Sequence, residues 1–319
     1  MIKSLIFLLV VLLSFSFIGI GYAEEEFPSQ PITIVVPFSA GGISDSLARL
    51  IDGVSVDYFP VRIRVVVMPG GGGIEGAKYV VDSKPDGYTL LYTSNTNMLG
   101  SAVLRDIGFD PVRDLIPVIG FSRIPTILGV RKDASWKTLA DFVEDAKANP
   151  KKITIGTPGI GSHNHFGLEI MARALGIEIT HVPFDGGAEV NMAVAGGHID
   201  GHAGTTGAIL QGVNSDQLKA LVVLGQERDK SFPDVPTAIE EGYDIFWEST
   251  RGMFAPKDTP SDRLKWLEEH FIKIMEAPSF IIPSTQLGEG PTYTSSDELK
   301  KLMLHLEEEM KQIAKEVML

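Results

Sequence analysis

The sequence predicts an α/β protein with largely parallel sheets, divided into two domains. Apolar strand-like runs alternate with helical patterns through most of the chain, the pattern of parallel strands joined by crossover helices. The 319 residues exceed what one hydrophobic core usually serves. After Pro260 the pattern turns to helices alone, as in a terminal segment that packs back on a sheet formed earlier.

The first 23 residues read as a secretory leader. Lys3 supplies a positive start, residues 4–20 are almost wholly apolar, and Gly21-Tyr22-Ala23 sets small residues ahead of Glu24-Glu25-Glu26. A retained membrane anchor is the alternative, but an apolar run of about 17 residues is short for a span. Removal of the leader leaves 296 residues and, because Lys3 is its one charge, moves the net charge from −13 to −14. A chain this acidic is a poor nucleic-acid binder, and any anion it holds must be held by local donors against long-range repulsion. The absence of cysteine excludes a disulfide framework and a lipid-bearing cysteine at the cleavage point, so a freely soluble periplasmic protein is expected.

Strands are expected at 32–37, 62–68, 89–93, 115–121, 126–130, 153–156, 179–182, 218–224 and 252–255. Helices are expected at 44–54, 73–81, 138–148, 162–175, 188–195, 262–275 and 296–318. Thr138 with Asp141 reads as an N-terminal cap, Asn149-Pro150 as a stop, and Ser295 with Glu298 as a capping box. Two stretches, 115–130 and 247–256, are candidate crossings between domains. They divide the chain into one lobe of 24–122 with 248–319 and another of 123–247, with a cleft between them at the carboxyl ends of the strands.

One device occurs twice. An apolar strand at 32–38 enters Ser39-Ala40-Gly41-Gly42-Ile43-Ser44 and then a helix, and a strand at 153–156 enters Thr157-Pro158-Gly159-Ile160-Gly161-Ser162 and then the helix opened by His163. Each loop leaves backbone N–H groups and the positive end of a helix dipole aimed at one spot, which suits a carboxylate or phosphate. Two facing copies would clamp one anion.

Motifs then follow in an ordered series. The opening Phe27-Pro28-Ser29-Gln30-Pro31-Ile32-Thr33-Ile34-Val35-Val36-Pro37-Phe38-Ser39-Ala40-Gly41-Gly42 is followed by Lys84-Pro85-Asp86-Gly87-Tyr88-Thr89-Leu90 and Phe109-Asp110-Pro111-Val112-Arg113-Asp114. His181-Val182-Pro183-Phe184, Phe232-Pro233-Asp234-Val235-Pro236-Thr237 and Gly252-Met253-Phe254-Ala255-Pro256 complete it. The chain resembles, over essentially its whole mature length, the Bug or TctC receptors of tripartite tricarboxylate transporters. The resemblance implies a two-lobed type II periplasmic-binding fold that closes on a small organic acid, bound without a cofactor. It also implies a membrane permease of one large and one small subunit as partner. A monomer that is not an enzyme is expected.

Carried over by position, the resemblance implies a binding site at Phe38, Ser39, Gly41, Gly42 and Ser44, then Ser94 and Asn95, then Thr157, Gly161, Ser162 and His163, then Gly186 and Gly187, and Asp200. The chain departs from the family pattern at Val67-Met68-Pro69-Gly70 and at Gly201-His202-Ala203-Gly204-Thr205-Thr206, where an apolar, often aromatic pair is usual. The second departure lies near the expected pocket and points to an uncommon ligand.

Each feature has a plainer alternative. Gly41-Gly42 with Ser44 could be a tight turn with a capping serine, and Ser162 is expected to spend its hydroxyl on its own helix. Asp45 is read as complementing the helix dipole. Asp200 is either a cleft acid that accepts from a ligand amine or hydroxyl, or a solvated loop acid. Phe38, Phe184 and Trp247 are either an apolar pocket wall or core. His163, His165, His181, His198 and His202 fall within forty residues and open a rival reading, a secreted metal-dependent enzyme. Gly196, Gly197 and Gly201 argue against the helix that would pair His198 with His202. Gly71-x-Gly73-x-x-Gly76 imitates a dinucleotide fingerprint, but the next strand lacks the acidic residue that would hold a ribose, so close packing before a helix is expected instead. A third reading is a sensory receptor for an organic acid.

Overall fold

The computed structural model describes residues 26–38, 40–184 and 186–315, so the expected leader and Ser39 lie outside the described residues. The elements run β1 (Ile32–Val36), α1 (Ile43–Ser55), β2 (Ile63–Val67), α2 (Ile74–Val81), β3 (Thr89–Ser94), α3 (Asn95–Leu104), α4 (Pro111–Asp114) and β4 (Leu115–Arg131). Then come α5 (Leu139–Ala148), β5 (Thr154–Thr157), α6 (His163–Leu175), β6 (Thr180–Pro183), α7 (Gly187–Ala195), β7 (Gly201–Thr205), α8 (Thr206–Asn214) and β8 (Leu218–Val223). The chain returns through β9 (Glu248–Pro256), α9 (Ser261–Glu276), α10 (Pro278–Gln286), β10 (Thr294–Ser295) and α11 (Ser296–Ile313).

The strands lie in the order β2-β1-β3-β9-β4-β7-β5-β6, with β8 and β10 also paired to β4. β1 pairs in parallel with β2 and β3, and β5 pairs in parallel with β6 and β7. The Ile- and Val-rich β1, almost wholly buried, suits a strand covered on both faces. The whole is mixed rather than largely parallel, because β4 and β9 run antiparallel to each other and to their other neighbours. The 17 residues of β4 fuse two strands expected separately, pairing first with β9 and β10 and then with β7 and β8. It is the longer of the two threads that join the halves of an α/β, two-lobed molecule.

The capping box appears in full at Thr138 and in half at Ser295. Thr138 and Asp141 form a reciprocal capping box, and Ser295 accepts from the Glu298 N–H. Close packing is found at Gly76 in the first turn of α2, where a Cβ would lie 2.8 Å from the Met68 carbonyl oxygen and 2.9 Å from Pro37 Cβ, whereas Gly72 has nothing within 4 Å.

β7 and the helices α3, α8 and α10 are not legible in the hydrophobic pattern. Gly201-His202-Ala203-Gly204-Thr205 has low strand propensity, yet a Cβ on Gly201 would stand 2.7 Å from the Gly129 carbonyl oxygen. Close backbone approach, rather than side-chain alternation, fixes that strand.

One core, with Ile34, Leu47, Ile51, Phe121, Phe271 and Phe280, serves the β1–β3 half. A second, with Ile127, Val190, Val194, Ile199 and Val223, serves the other half. A third is shared: Leu91 and Leu99 continue through Leu128, Ile155 and Phe166 to Trp247, Leu299 and Met303. Through its apolar face α11 packs on α3 and β4 and also touches α6. The two halves therefore meet across a dry seam as well as through their connecting strands.

Candidate functional site

The returning strand organises the site. Just ahead of β9, Trp247 donates its Nε1–H to the His163 carbonyl oxygen at 2.8 Å. Ser249 Oγ and the Thr250 N–H both donate to Asn95 Oδ1 at 3.0 Å. Arg251 Nη1 donates to Ser44 Oγ at 2.6 Å. His163, Asn95 and Ser44 occupy the first turns of α6, α3 and α1. Residues 247–251 in extended form span only about 13 Å, so the three helix starts are anchored to backbone positions within that length. The two loops expected to converge are both anchored here, at Ser44 and His163.

Contact across the seam is direct. A Cβ on Gly100 of α3 would lie 2.3 Å from the Gly161 carbonyl oxygen and 2.9 Å from Phe166 Cε2. Glycine at 100 is thus what lets α3 approach the 159–162 loop.

Arg251 and Glu289 form a buried pair, with Nε and Nη2 of the arginine donating to the carboxylate at 2.7 and 2.8 Å. Burial opposes the arginine's charge, but Glu289 outweighs it and holds the guanidinium above its ordinary pKa. Ser122 Oγ also donates to Glu289 at 3.0 Å. Ser44 accepts from Arg251, which leaves its own hydroxyl proton free to donate. Glu289 belongs to the loop after α10, whose Gly288, Gly290 and Thr292 wall, with Arg123, Lys230 and Glu248, a cavity of about 370 Å³.

Four helix starts have no bond from their N-cap side chain, although the Thr96 N–H of α3 donates to Asn95 Oδ1 at 2.8 Å. Gly42, Ser94, Gly186 and Thr205 stand at the N-caps of α1, α3, α7 and α8 without a side-chain cap bond. Ser162 does cap α6, accepting from the His165 N–H at 3.2 Å as expected. Ser94 Oγ, Asn95 Nδ2, His163 Nδ1 and His202 Nε2 are buried with no hydrogen-bond partner among the described residues. Burial pushes both His163 and His202 down to about 3, so both are neutral at pH 7.

Other expected site residues are engaged elsewhere. The Gly41 N–H donates to Asp45 Oδ2 at 2.8 Å, and Asp45 also pairs with Arg49, so Asp45 shapes the loop as well as facing the dipole. The Gly161 N–H donates to His165 Nδ1 at 3.0 Å. The Thr157 hydroxyl meets His181 Nε2 at 2.7 Å and the Gly159 carbonyl oxygen at 3.3 Å. Gly42 is exposed, while Gly186 and Gly187 are half-buried, the latter beside His202 and Ala208.

Phe38, half-buried, lines an apolar cavity of about 10 Å³ with Gly73, Met98 and Phe109, too small for an organic acid. Phe184 packs against the second core and Trp247 is buried in the shared one. Asp200 departs from the cleft expectation. Its Oδ2 accepts from the Thr154 N–H and hydroxyl at 2.8 and 2.7 Å, at the amino end of β5 and β7, opposite the loops. Its work is to tie two strand starts together.

The histidines do not share one centre. His202 lies in β7, so it makes no helical pair with His198, and His165 stacks on His181 at 3.9 Å. Among the described residues no group of three or more His, Asp or Glu is placed to hold a metal.

Sequence reasoning missed Arg251, Glu289 and the anchoring role of 247–251. The available signal was a charge inside an otherwise uncharged β run, Ser249 to Ala255.

The family described as "Tripartite tricarboxylate transporter family receptor" (TctC) matches residues 61–319. A TctC solute-binding protein from Polaromonas is similar in structure, with a TM-score of 0.80 and 28% identity, covering 91% of this chain and 100% of that one. MatC from Rhodopseudomonas palustris with bound malate has a TM-score of 0.77 and 26% identity, covering 90% of this chain and 99% of that one. Rpa4515 of the same organism, with adipate, has a TM-score of 0.79 and 27% identity, covering 91% and 98%. With its helix starts gathered on one strand and its sequence matched through to the last residue, the chain belongs to the TctC family of tripartite tricarboxylate transporter receptors.

Proposed function

We propose that this receptor captures a small organic carboxylate between two lobes and delivers it to a membrane permease of one large and one small subunit. The observation that supports this most is the gathering of the α1, α3 and α6 starts on residues 247–251. A helix N-terminus attracts an anion by about 0.3–1 kcal/mol, and by up to about 2 in a partly buried setting. Three such ends, with the unpaired Asn95 Nδ2 and the Ser44 hydroxyl, supply local donors in a chain whose overall charge is −13. The malate and adipate held by the two Rhodopseudomonas proteins belong to the ligand class such donors suit.

We take the lobes to be 24–122 with 248–319, and 123–247. The first carries α1 and α3 and the second α6, so a ligand touching all three is fully held only in the closed form. Its binding energy then shifts the population toward closure and presents the closed surface to the permease. The mature protein works as a monomer in the periplasm after loss of residues 1–23. No bond of the ligand is made or broken.

Calorimetric titration of the mature chain with mono-, di- and tricarboxylates tests this reading. At least one should bind, and Asn95→Ala should weaken that binding about tenfold or more. A folded protein that binds none of them removes the proposal.

A further inference from the structure

Two imidazoles hold the 157–162 loop, and the capture described above uses neither. His165 of α6 and His181 of β6 stack with ring centroids 3.9 Å apart. Each takes one end of the loop. The Thr157 hydroxyl meets His181 Nε2 at 2.7 Å, and the Gly161 N–H donates to His165 Nδ1 at 3.0 Å. A backbone N–H only donates, so Nδ1 must offer its lone pair. The bond therefore exists only while His165 is neutral, with its proton on Nε2.

That bond fixes a residue at the seam, since the Gly161 carbonyl oxygen would stand 2.3 Å from a Cβ on Gly100 of α3. A proton on Nδ1 turns the acceptor into a donor facing another donor, which frees the Gly161 peptide where the halves meet. Two titratable groups face the ring. Glu169, one turn on in α6, has Oε1 3.6 Å from Nε2, and His181 faces it from β6. The other elements packed on α6 and its loop present uncharged groups: Gly100 and Leu104 from α3, Thr126 from β4, Ala203 from β7 and the apolar face of α11. His202 of β7 lies on the other face of the sheet, because it aligns with Gly156 whereas His181 aligns with Ile155. Burial, with the neighbouring His165, pushes His181 down to about 4, so the first proton taken by the stacked pair goes to His165.

We propose that His165 is an acid-sensitive latch: a proton on its ring releases Gly161, loosens the seam at Gly100 and weakens ligand capture as the surroundings acidify. The latched form excludes a proton that the released form accepts, so falling pH draws the population toward release. The effect on capture rests on the carboxylate-receptor reading above, whereas the latch itself is a property of the ligand-free fold.

Two variants of the mature chain have opposite outcomes. His165→Asn puts an amide oxygen near the place of Nδ1, an acceptor that does not titrate, whereas His165→Phe keeps a ring over His181 and removes the acceptor. In ¹⁵N-labelled, ligand-free protein the Gly161 amide proton should move upfield between pH 7.5 and pH 5.5 in the wild type and stay in place in His165→Asn. In His165→Phe it should lie at the released position at both pH values. Calorimetry with malate, adipate and citrate at the same two pH values reads capture. Relative to His165→Asn, the wild type should lose about fivefold or more in affinity at pH 5.5, a comparison that cancels titration of the ligand and of the other histidines. A Gly161 amide that does not move, or that moves equally in His165→Asn, overturns the latch. Equal pH dependence of affinity in the wild type and His165→Asn overturns its effect on capture. Binding of no carboxylate removes the receptor reading, and the amide titration still decides the latch.

Discussion

Gly100→Ala separates closure from folding. The added methyl would meet the Gly161 carbonyl oxygen at 2.3 Å and Phe166 Cε2 at 2.9 Å, both on the other side of the seam. Neither yields cheaply: the first is backbone, and Phe166 is fully buried. Within α3 the same change is favourable by about 1 kcal/mol, because alanine is the better helix former. Overpacking at the seam costs about 1–3 kcal/mol and is charged only to the arrangement in which α3 meets the 159–162 loop. If ligand capture requires that arrangement, the dissociation constant rises by roughly 5- to 150-fold. Calorimetry with the preferred carboxylate reads the affinity, and ligand-free thermal unfolding reads the fold. The expected result is a weakened affinity with a melting temperature that moves by only a few degrees. Unchanged affinity in a folded variant would falsify the link between this contact and capture.

Glu289→Ala leaves Arg251 buried without its carboxylate and should cost about 3–5 kcal/mol in urea unfolding; a cost below about 1 kcal/mol would show that the pair is not the clamp its geometry implies. The double change Arg251→Met with Glu289→Leu should recover much of that loss, since it removes both charges at once. Asp200→Asn should lower the melting temperature through the Thr154 bonds yet leave carboxylate affinity unchanged, and a weakened affinity would return Asp200 to the binding site. Stability should also fall in mild acid. His163 and His202 titrate near 3 when folded against 6.5 in the unfolded chain, so between those values the unfolded state binds more protons. Their contribution is whole above pH 6.5 and is lost progressively toward pH 3, on the order of 4 kcal/mol together at pH 5. Equal unfolding free energies at pH 7 and pH 5 would contradict this.

What was legible in the sequence was what local pattern controls. The Ile- and Val-rich strands β1 and β2 announce themselves, and so do caps such as Thr138, whose partner Asp141 lies three residues away. The first crossing stretch was visible because β4 is apolar along most of its length, and the second through the apolar Met253-Phe254-Ala255-Pro256 end of β9. β7 was hidden because Gly201 serves contacts with Gly129 and Ile155, residues distant in sequence. The site was half legible for the same reason. Gly42, Ser94 and His163 follow from strand-to-helix turns, whereas Arg251 reaches Ser44 across 207 positions and Glu289 sits in a loop without a motif. Asp200 misled because its place beside a strand says nothing of which end of the sheet it marks.

The order of the anchors along the returning strand carries a mechanical consequence. Trp247 holds a helix of the β5–β8 half, while Ser249, Thr250 and Arg251 hold helices of the β1–β3 half. The change of allegiance falls at Glu248, which pairs with Pro125 of the other connecting strand. If the halves rotate about that point, as the proposed function requires, the separation of His163 from Asn95 and Ser44 changes with them. On the proposed reading, a ligand bridging those residues would act on the backbone where the halves divide, with no long chain of side chains between binding and closure. This also accounts for placing the anchors on a strand rather than on loops. A loop would absorb the motion, whereas a strand bonded along β4 passes it on.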